Sequence, residues 1–519
     1  MDQSFSPTNK AILVASLMLG ACANLLFFGK APGVSFFVFV LLFLAALILV
    51  GRRTGSRFSR QNLWLLLPAL FFAAMVAVRD NRMLSTLNVL AATALLSLFI
   101  LYSVSGRVGE SGLLTTLTAP IYSFGKSVGS TSPFVSQSAG SFRIIWRNQR
   151  SVLPIVRGGL AAVPVLMVFA VLLVLADVVY ADLLFKLFRI ERIFTIANYG
   201  TQGVFILVIS LLTAGGISVA MDKRDKGAEL DHRLNGIRRH RFMGYTESMT
   251  VMTLVDLLFL SFVVVQVRYL FGGESNISSL GYTYAEYARH GFFELLAVSI
   301  LSLLLILGLE SFTWRETKLQ FKLFNALSSL MIMLVLVIMI SAFTRMHLYE
   351  IAYGYTELRL FVYVFIIWLG IFLLWFLYGL WRRPERFGLG LLLVGIGFLA
   401  TLNMLNPDAF IVRQNVKRYM AGGKLDSDYL DSLSLDAVPE LVRAINADSN
   451  PDSKIVSIPC PQLYSDGTIG YCETVLAIHL QAALYDRFLD MRADTDSDHW
   501  QSFKSSRWRA YQELLGLFE

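Results

Sequence analysis

The residues with the most chemical potential in this chain are charged groups set among apolar ones. Asp256 is the most deeply placed charged residue of the run 250–271, and a carboxylate in hydrocarbon costs several kcal/mol unless it is protonated, paired or hydrated. Gln266 and Arg268 lie more than two helical turns further on, out of its reach. Asp256 therefore suits either a proton or cation site or an interhelical hydrogen bond. A second group gathers where apolar runs end: Arg79, Asp80 and Arg82, Asp177, Arg268, Glu294, Arg345, His347, Glu350, Glu357 and Arg359. Acids, bases and a histidine converging from several helix ends would line a cleft for an anionic or glycosylated ligand at the outer face. The alternative is that helix ends are simply where polar side chains emerge into water. Asp182 and Lys186 illustrate that alternative, spaced as an ordinary pair on one helical face.

Familiar catalytic patterns fail on inspection. Asp494, Asp496 and Asp498 begin like a calcium loop, but His499 stands where that loop needs Gly and Ser505 where it needs Glu. The six histidines have no zinc spacing, and neither a phosphate-binding glycine loop nor a serine nucleophile elbow is present. No catalytic, cofactor-binding or metal-ligating residue is assigned, and no cofactor is expected. Gly388, Gly390, Gly395 and Gly397 fall inside an apolar run, where close helix packing explains them better than a nucleotide does.

The elements that must position these residues are membrane spans. A chain of 519 residues that is 55% apolar and only 16% charged, with a mean hydropathy of +0.60, needs lipid to solvate its surface. Crossing hydrocarbon takes about 17–25 apolar residues. Runs of that kind are read at 11–28, 34–50, 63–78, 83–102, 158–175, 204–220, 250–271, 292–309, 323–343, 360–380 and 388–405. The expected fold is an all-α polytopic transmembrane bundle of about eleven spans over 1–405, followed by a small, mostly helical soluble tail over 406–519.

Orientation follows from Lys and Arg, which are enriched in cytoplasmic loops. One set of alternate loops holds 22 of them and the opposite set, with Lys30, Arg79, Arg82, Arg345 and Arg359 among its members, holds 10. The first set is read as cytoplasmic, so eleven spans put the amino terminus inside and the tail outside. From Asp408 onward 11 basic residues face 17 acidic ones, a balance that anionic cytoplasmic headgroups would repel. The net charge of +8 thus reports anchoring at the inner face and gives no reason to expect a nucleic acid partner. Cys460 and Cys472 flank an Asp466-Gly467 turn; they form either a disulfide, which an oxidising compartment would preserve, or two free thiols. Leu19-Gly20-Ala21-Cys22 resembles a lipoprotein cleavage site, yet the apolar run continues through Phe27 and Phe28, so an uncleaved first span is the simpler reading.

Within the tail, Asn406-Pro407 starts a helix that Gly422-Gly423 ends, and a short helix follows from Asp436. Longer helices are expected over 473–491 and 500–518, together making a cap that rests on the outer face of the bundle. The Ser- and Gly-rich loop 103–151, with Leu113, Leu114, Leu117, Ile121 and Tyr122, is either a flexible connector or a segment lying along the cytoplasmic interface. The basic cluster within 221–242 reads as an orientation signal.

Asn406-Pro407-Asp408-Ala409-Phe410-Ile411, Leu425-Asp426-Ser427-Asp428-Tyr429-Leu430, Tyr349-Glu350 and Tyr355-Thr356-Glu357-Leu358-Arg359 together resemble a bacterial family of multi-pass membrane proteins carrying a domain of unknown function. The resemblance runs from about Arg79 to Trp508-Arg509. It implies a bacterial cytoplasmic-membrane location, in which the sequon Asn276-Ile277-Ser278 is accidental, and it supplies no activity and no catalytic residues. Three functions remain open. Transport of a small or anionic solute leads, on the number of spans and Asp256, although no paired broken helices or internal repeat mark alternating access. A scaffold or sensor acting through its outer tail follows, with an envelope protein or small molecule as partner beside the bilayer. An envelope enzyme with a site at the outer leaflet is third, and it lacks a recognisable carboxylate pair or metal site.

Overall fold

The computed structural model describes residues 7–55, 58–103, 108, 113–129, 194–222, 229–230, 244–270, 292–382, 387–423, 425–447, 455–463, 469–493 and 500–519. The helices are α1 (Pro7–Phe27), α2 (Val34–Thr54), α3 (Leu66–Val78, entered through a 3-10 turn), α4 (Arg82–Leu101), α5 (Leu113–Gly129), α6 (Phe194–Met221), α7 (Tyr245–Leu270), α8 (Phe292–Phe312), α9 (Lys318–Tyr353), α10 (Glu357–Arg382) and α11 (Phe387–Leu405). Ten of the described segments are long and apolar enough to cross a membrane. Each meets the demand that lipid makes of a spanning chain, because a helix satisfies its own backbone polar groups. The eleventh expected run, 158–175, lies outside the described residues, as does Asp177.

Local signals account for several of the helix ends. Asn81 caps α4 by accepting the Leu84 N–H at 3.0 Å, and Thr317 with Gln320 forms a reciprocal capping box at the start of α9. Helix α9 has 36 residues and is therefore about 54 Å long, well beyond the roughly 30 Å of hydrocarbon. It must tilt or project, and its last turns carry Arg345, His347 and Glu350.

The chain divides into two compact units, Met1–Gly29, Leu41–Arg57 and Ser123–Asp222 in the first, and Lys30–Val40, Phe58–Tyr122 and Lys223–Glu519 in the second. In the first, α1 packs along α6. Gly20 permits it, since a Cβ there would strike the Ser210 hydroxyl and the Ile206 carbonyl. In the second, α7 and α8 pack on α9, α9 on α10, α10 on α11, and α3 on α4. Met252, Ile306, Phe324, Met331, Leu373 and Phe376 are among the residues of one buried core. The α10–α11 contact uses two of the four glycines as expected: Cβ atoms at Gly390 and Gly397 would collide with the rings of Trp375 and Trp368, whereas one at Gly395 would meet open space.

Beyond Leu405 the chain builds α12 (Pro407–Met420), α13 (Ser427–Ser432), α14 (Val438–Ala447), β1 (Ile455–Leu463), β2 (Ile469–Val475), α15 (Leu476–Ala493) and α16 (Ser505–Phe518). Ile411, Leu430, Val438, Leu441, Leu484, Phe488 and Leu514 share a second core, which also takes in Leu360 of α10. Two expectations are corrected here. Residues 455–463 and 469–475 form an antiparallel hairpin, which delays α15 to Leu476 because Ile469, Tyr471 and Val475 favour a strand. The last helix begins at Ser505, after a 3-10 turn over Trp500–Ser502. Helix α5, in the loop read as either connector or interfacial segment, exposes Leu117, Ile121 and Phe124 at helical spacing, the pattern of a helix lying in a membrane interface.

Candidate functional site

Three interhelical turns, 79–81, 354–356 and Asn406, meet the segment 408–436 and the start of α16 in one buried polar cluster. Its centre is Asp436. One carboxylate oxygen accepts the backbone N–H groups of Asp80 at 2.8 Å and Asn81 at 3.0 Å; the other accepts the Ser506 hydroxyl and lies 3.7 Å from the Arg79 guanidinium. Ser506 is also within hydrogen-bonding distance of the Val78 carbonyl, at 2.6 Å. Arg79 donates through Nε to the Asn403 carbonyl at 3.1 Å, and burial lowers its pKa against the opposing pull of Asp436. Lys504 closes the edge with an ion pair to Asp80 at 3.1 Å.

Beside it sits a second carboxylate group. Asp408, fully buried in the first turn of α12, accepts the Ser434 hydroxyl and the Asn81 amide at 3.1 Å. The same amide nitrogen donates to Glu357, so two acids face one donor. Burial raises the Asp408 pKa to about 6, with Ser434 and Asn81 opposing and Glu357 reinforcing the shift. The Glu357 backbone N–H donates to the Tyr429 hydroxyl at 2.8 Å, and burial pushes that phenol up to about 12. Below the cluster, Asn88 and Asn403 exchange amide hydrogen bonds at 2.9 and 2.7 Å, tying α4 to α11.

A third set of contacts holds the α9–α10 turn. Asn415 pairs with the Tyr355 backbone in both directions, at 2.8 and 2.9 Å. Arg359 lies 4.2 Å over the Tyr349 ring and donates to the Gly354 carbonyl, while Arg418 donates to the Ile351 carbonyl at 2.9 Å. Glu350 is buried, 3.7 Å from His347, and its carboxylate adds to burial in raising the Tyr355 pKa. A cavity of about 290 Å³ opens beside the Asp436 cluster, bordered by Asp80, Ser434, Arg487, Asp490 and Arg507. Among the described residues, no three His, Cys, Asp or Glu side chains are grouped to hold a metal ion.

Of the expected outer-face residues, the structure brings Arg79, Asp80 and Glu357 into the central cluster and places His347, Glu350 and Arg359 at the neighbouring turn. Arg345 is half-buried one turn before Tyr349. The side chains of Arg268 and Glu294 lie outside the described residues. Asp256 stands apart in α7, eleven residues beyond Tyr245, deeper than the run 250–271 implied. It is 3% exposed, and neither carboxylate oxygen has a hydrogen-bond partner among the described residues. Cys460 is on β1 and Cys472 on β2, where Cys472 faces Ile458; their side chains lie outside the described residues.

Sequence reasoning missed Asn81, Asn88, Asn403, Asp408, Asn415, Ser434, Asp436 and Ser506. The available signal was buried polarity at helix starts, since Asp408 and Asp436 read equally well as ordinary first-turn acids.

These features define a polytopic α-helical membrane protein whose C-terminal segment is latched by buried carboxylates to the turns at one end of its spanning helices. The chain belongs to the family described as a domain of unknown function, DUF4153, whose model matches residues 66–444. That interval contains Arg79, Asn81, Glu357, Asp408, Ser434 and Asp436. No curated protein and no solved structure matches the chain.

Proposed function

We propose that the chain is a sensor or scaffold of a bacterial cytoplasmic membrane, acting through a tail on the extracytoplasmic side that is coupled rigidly to the spans. The observation that carries this reading is Asp436, a tail carboxylate that holds two backbone N–H groups of the α3–α4 turn. A surface cap has no need of such a bond, whereas a domain that transmits a change to the helices beneath it does. A small ligand in the adjoining cavity would touch Asp80 and Ser434, both part of the same network. The extracytoplasmic placement is supported by Lys and Arg: the turns 79–82 and 354–359 that meet the tail carry Arg79, Arg82 and Arg359, while Arg52, Arg53, Lys318, Lys322 and Arg382 lie at the opposite helix ends. A disulfide across β1 and β2 belongs to the same proposal.

Transport is the second reading, favoured by Asp256, whose buried and unpartnered carboxylate suits a proton or small cation. Complementation of a strain whose phenotype depends on the chain separates the two. The sensor reading expects Asp436→Ala to be inserted in the membrane yet inactive, with Asp256→Asn active. Transport expects the reverse. Full activity in a chain lacking 408–519 would sink the sensor proposal.

A further inference from the structure

We propose that the segment 500–509 is a membrane foot: Trp500, Phe503 and Trp508 sit in the headgroup boundary of the same bilayer that the helices cross. The height of this segment is fixed by its contacts with span ends. The Val34 N–H, at the first residue of α2, donates to the Phe503 carbonyl at 3.0 Å. Gly33 is pressed so closely on this segment that a Cβ there would come within 2.6 Å of the Phe503 carbonyl. One turn later Ser506 reaches the carbonyl of Val78, the last residue of α3, and Lys504 pairs with Asp80, two residues before α4. Residues 503–506 are thus held level with the ends of three apolar helices, which is the depth at which hydrocarbon gives way to headgroups.

The side chains presented at that depth are those an interface selects. Trp500 is 56% exposed, Phe503 46% and Trp508 56%, although the tail has its own core available for aromatic rings. Amphipathic aromatic rings are enriched at both membrane–water boundaries, where the ring meets lipid and a polar edge meets water. Arg509 follows Trp508 and is exposed; a cation at that level suits phosphate oxygens, and guanidinium stems snorkel readily. Continuity with the span ends commits the surface to lipid, and the inference rests on neither functional reading.

Nitroxide labels test it. Phe503→Cys and Trp508→Cys are each made in the full-length chain carrying Cys22→Ala, with Ile478→Cys as a comparison because Ile478 is an equally exposed apolar residue of the tail. The signal of the parent chain is subtracted. In vesicles of phosphatidylethanolamine and phosphatidylglycerol, collisions with a water-soluble nickel complex should be several-fold rarer at 503 and 508 than at 478, and collisions with oxygen more frequent. Nickel collisions at 503 and 508 equal to those at 478 would overturn the proposal. So would spin–spin broadening that vanishes on dilution with unlabelled chain, since a second copy would then cover the patch. The two sites stand on different elements, so loss of folding at one leaves the other to decide.

Discussion

Asp408, fully buried, and Glu357, half-buried, direct their carboxylates at one Asn81 amide, and two acids sharing a donor in a desolvated site are held together best when one of them keeps its proton. Asp408 also faces Ser434, Tyr429 and, at longer range, Arg79, but burial decides its balance and raises its pKa to about 6. A carboxyl whose pKa is higher in the folded chain than in the unfolded one binds more protons when folded. Its contribution is therefore fully present below the ordinary value of 3.8 and is lost as pH rises through about 6. The tail should be held more tightly at acidic pH, by an amount on the order of 2 kcal/mol. Hydrogen exchange in 427–447, compared at about pH 5 and about pH 8, should show the loosening. Asp408→Asn, which keeps a neutral acceptor for Ser434, should abolish the difference; persistence of the pH dependence in that variant would assign it to another group.

At the scale of elements, the α9–α10 turn depends on Gly354. Its φ of 78° and ψ of 178° fall in a region essentially reserved for glycine, and a Cβ there would come within 2.7 Å of the Asn415 side-chain oxygen. That oxygen accepts the Tyr355 N–H, so Gly354→Ala strains the backbone and disturbs the bond joining α12 to the turn. A destabilisation of about 2 kcal/mol or more is expected, read as a lower unfolding temperature of the detergent-solubilised chain. An unchanged transition would show that the turn relaxes freely.

The same element scale explains what was legible beforehand. Spans declare themselves because lipid tolerates neither charge nor unpaired backbone over their length. Gly390 and Gly397 of α11 were readable as packing residues for a related reason, since a nucleotide has no place inside such a run. Asp408 and Asp436 were not legible as a joint. Each looks like an acid in a helical first turn, and its partners on the α3–α4 turn lie more than three hundred residues away in sequence. The hairpin at β1 and β2 was hidden differently, by a short alternating stretch whose last residues blend into the apolar stripe of α15. Asp256 was visible as an isolated charge, but its full burial depends on packing that periodicity alone does not specify.

For the molecule as a whole, the buried joint constrains topology. The turns at 79–81 and 354–356 both meet the tail, through Asp436 and Asn415, so they lie at the same end of the spanning helices. A chain that leaves one end at Asn81 and is back there at Gly354 crosses the membrane an even number of times. The described residues between them provide five apolar segments able to cross, from Arg82–Leu101 to Lys318–Ile351. We propose one further crossing to complete the even count, made by the apolar run 158–175 expected from the sequence. Lys126 and Lys186 should then lie on opposite sides, with Lys186 on the side of the tail. Single cysteines replacing each, in a chain also carrying Cys22→Ala, can be labelled on intact spheroplasts with a membrane-impermeant thiol reagent, against the parent chain as blank. Labelling at 186 but not at 126 would support eleven crossings and an external tail. Labelling at 126 alone would keep eleven crossings and turn the molecule over, moving the search for a partner to the cytoplasm. Equal behaviour at the two sites, before and after the membrane is opened, would rule out a crossing between them.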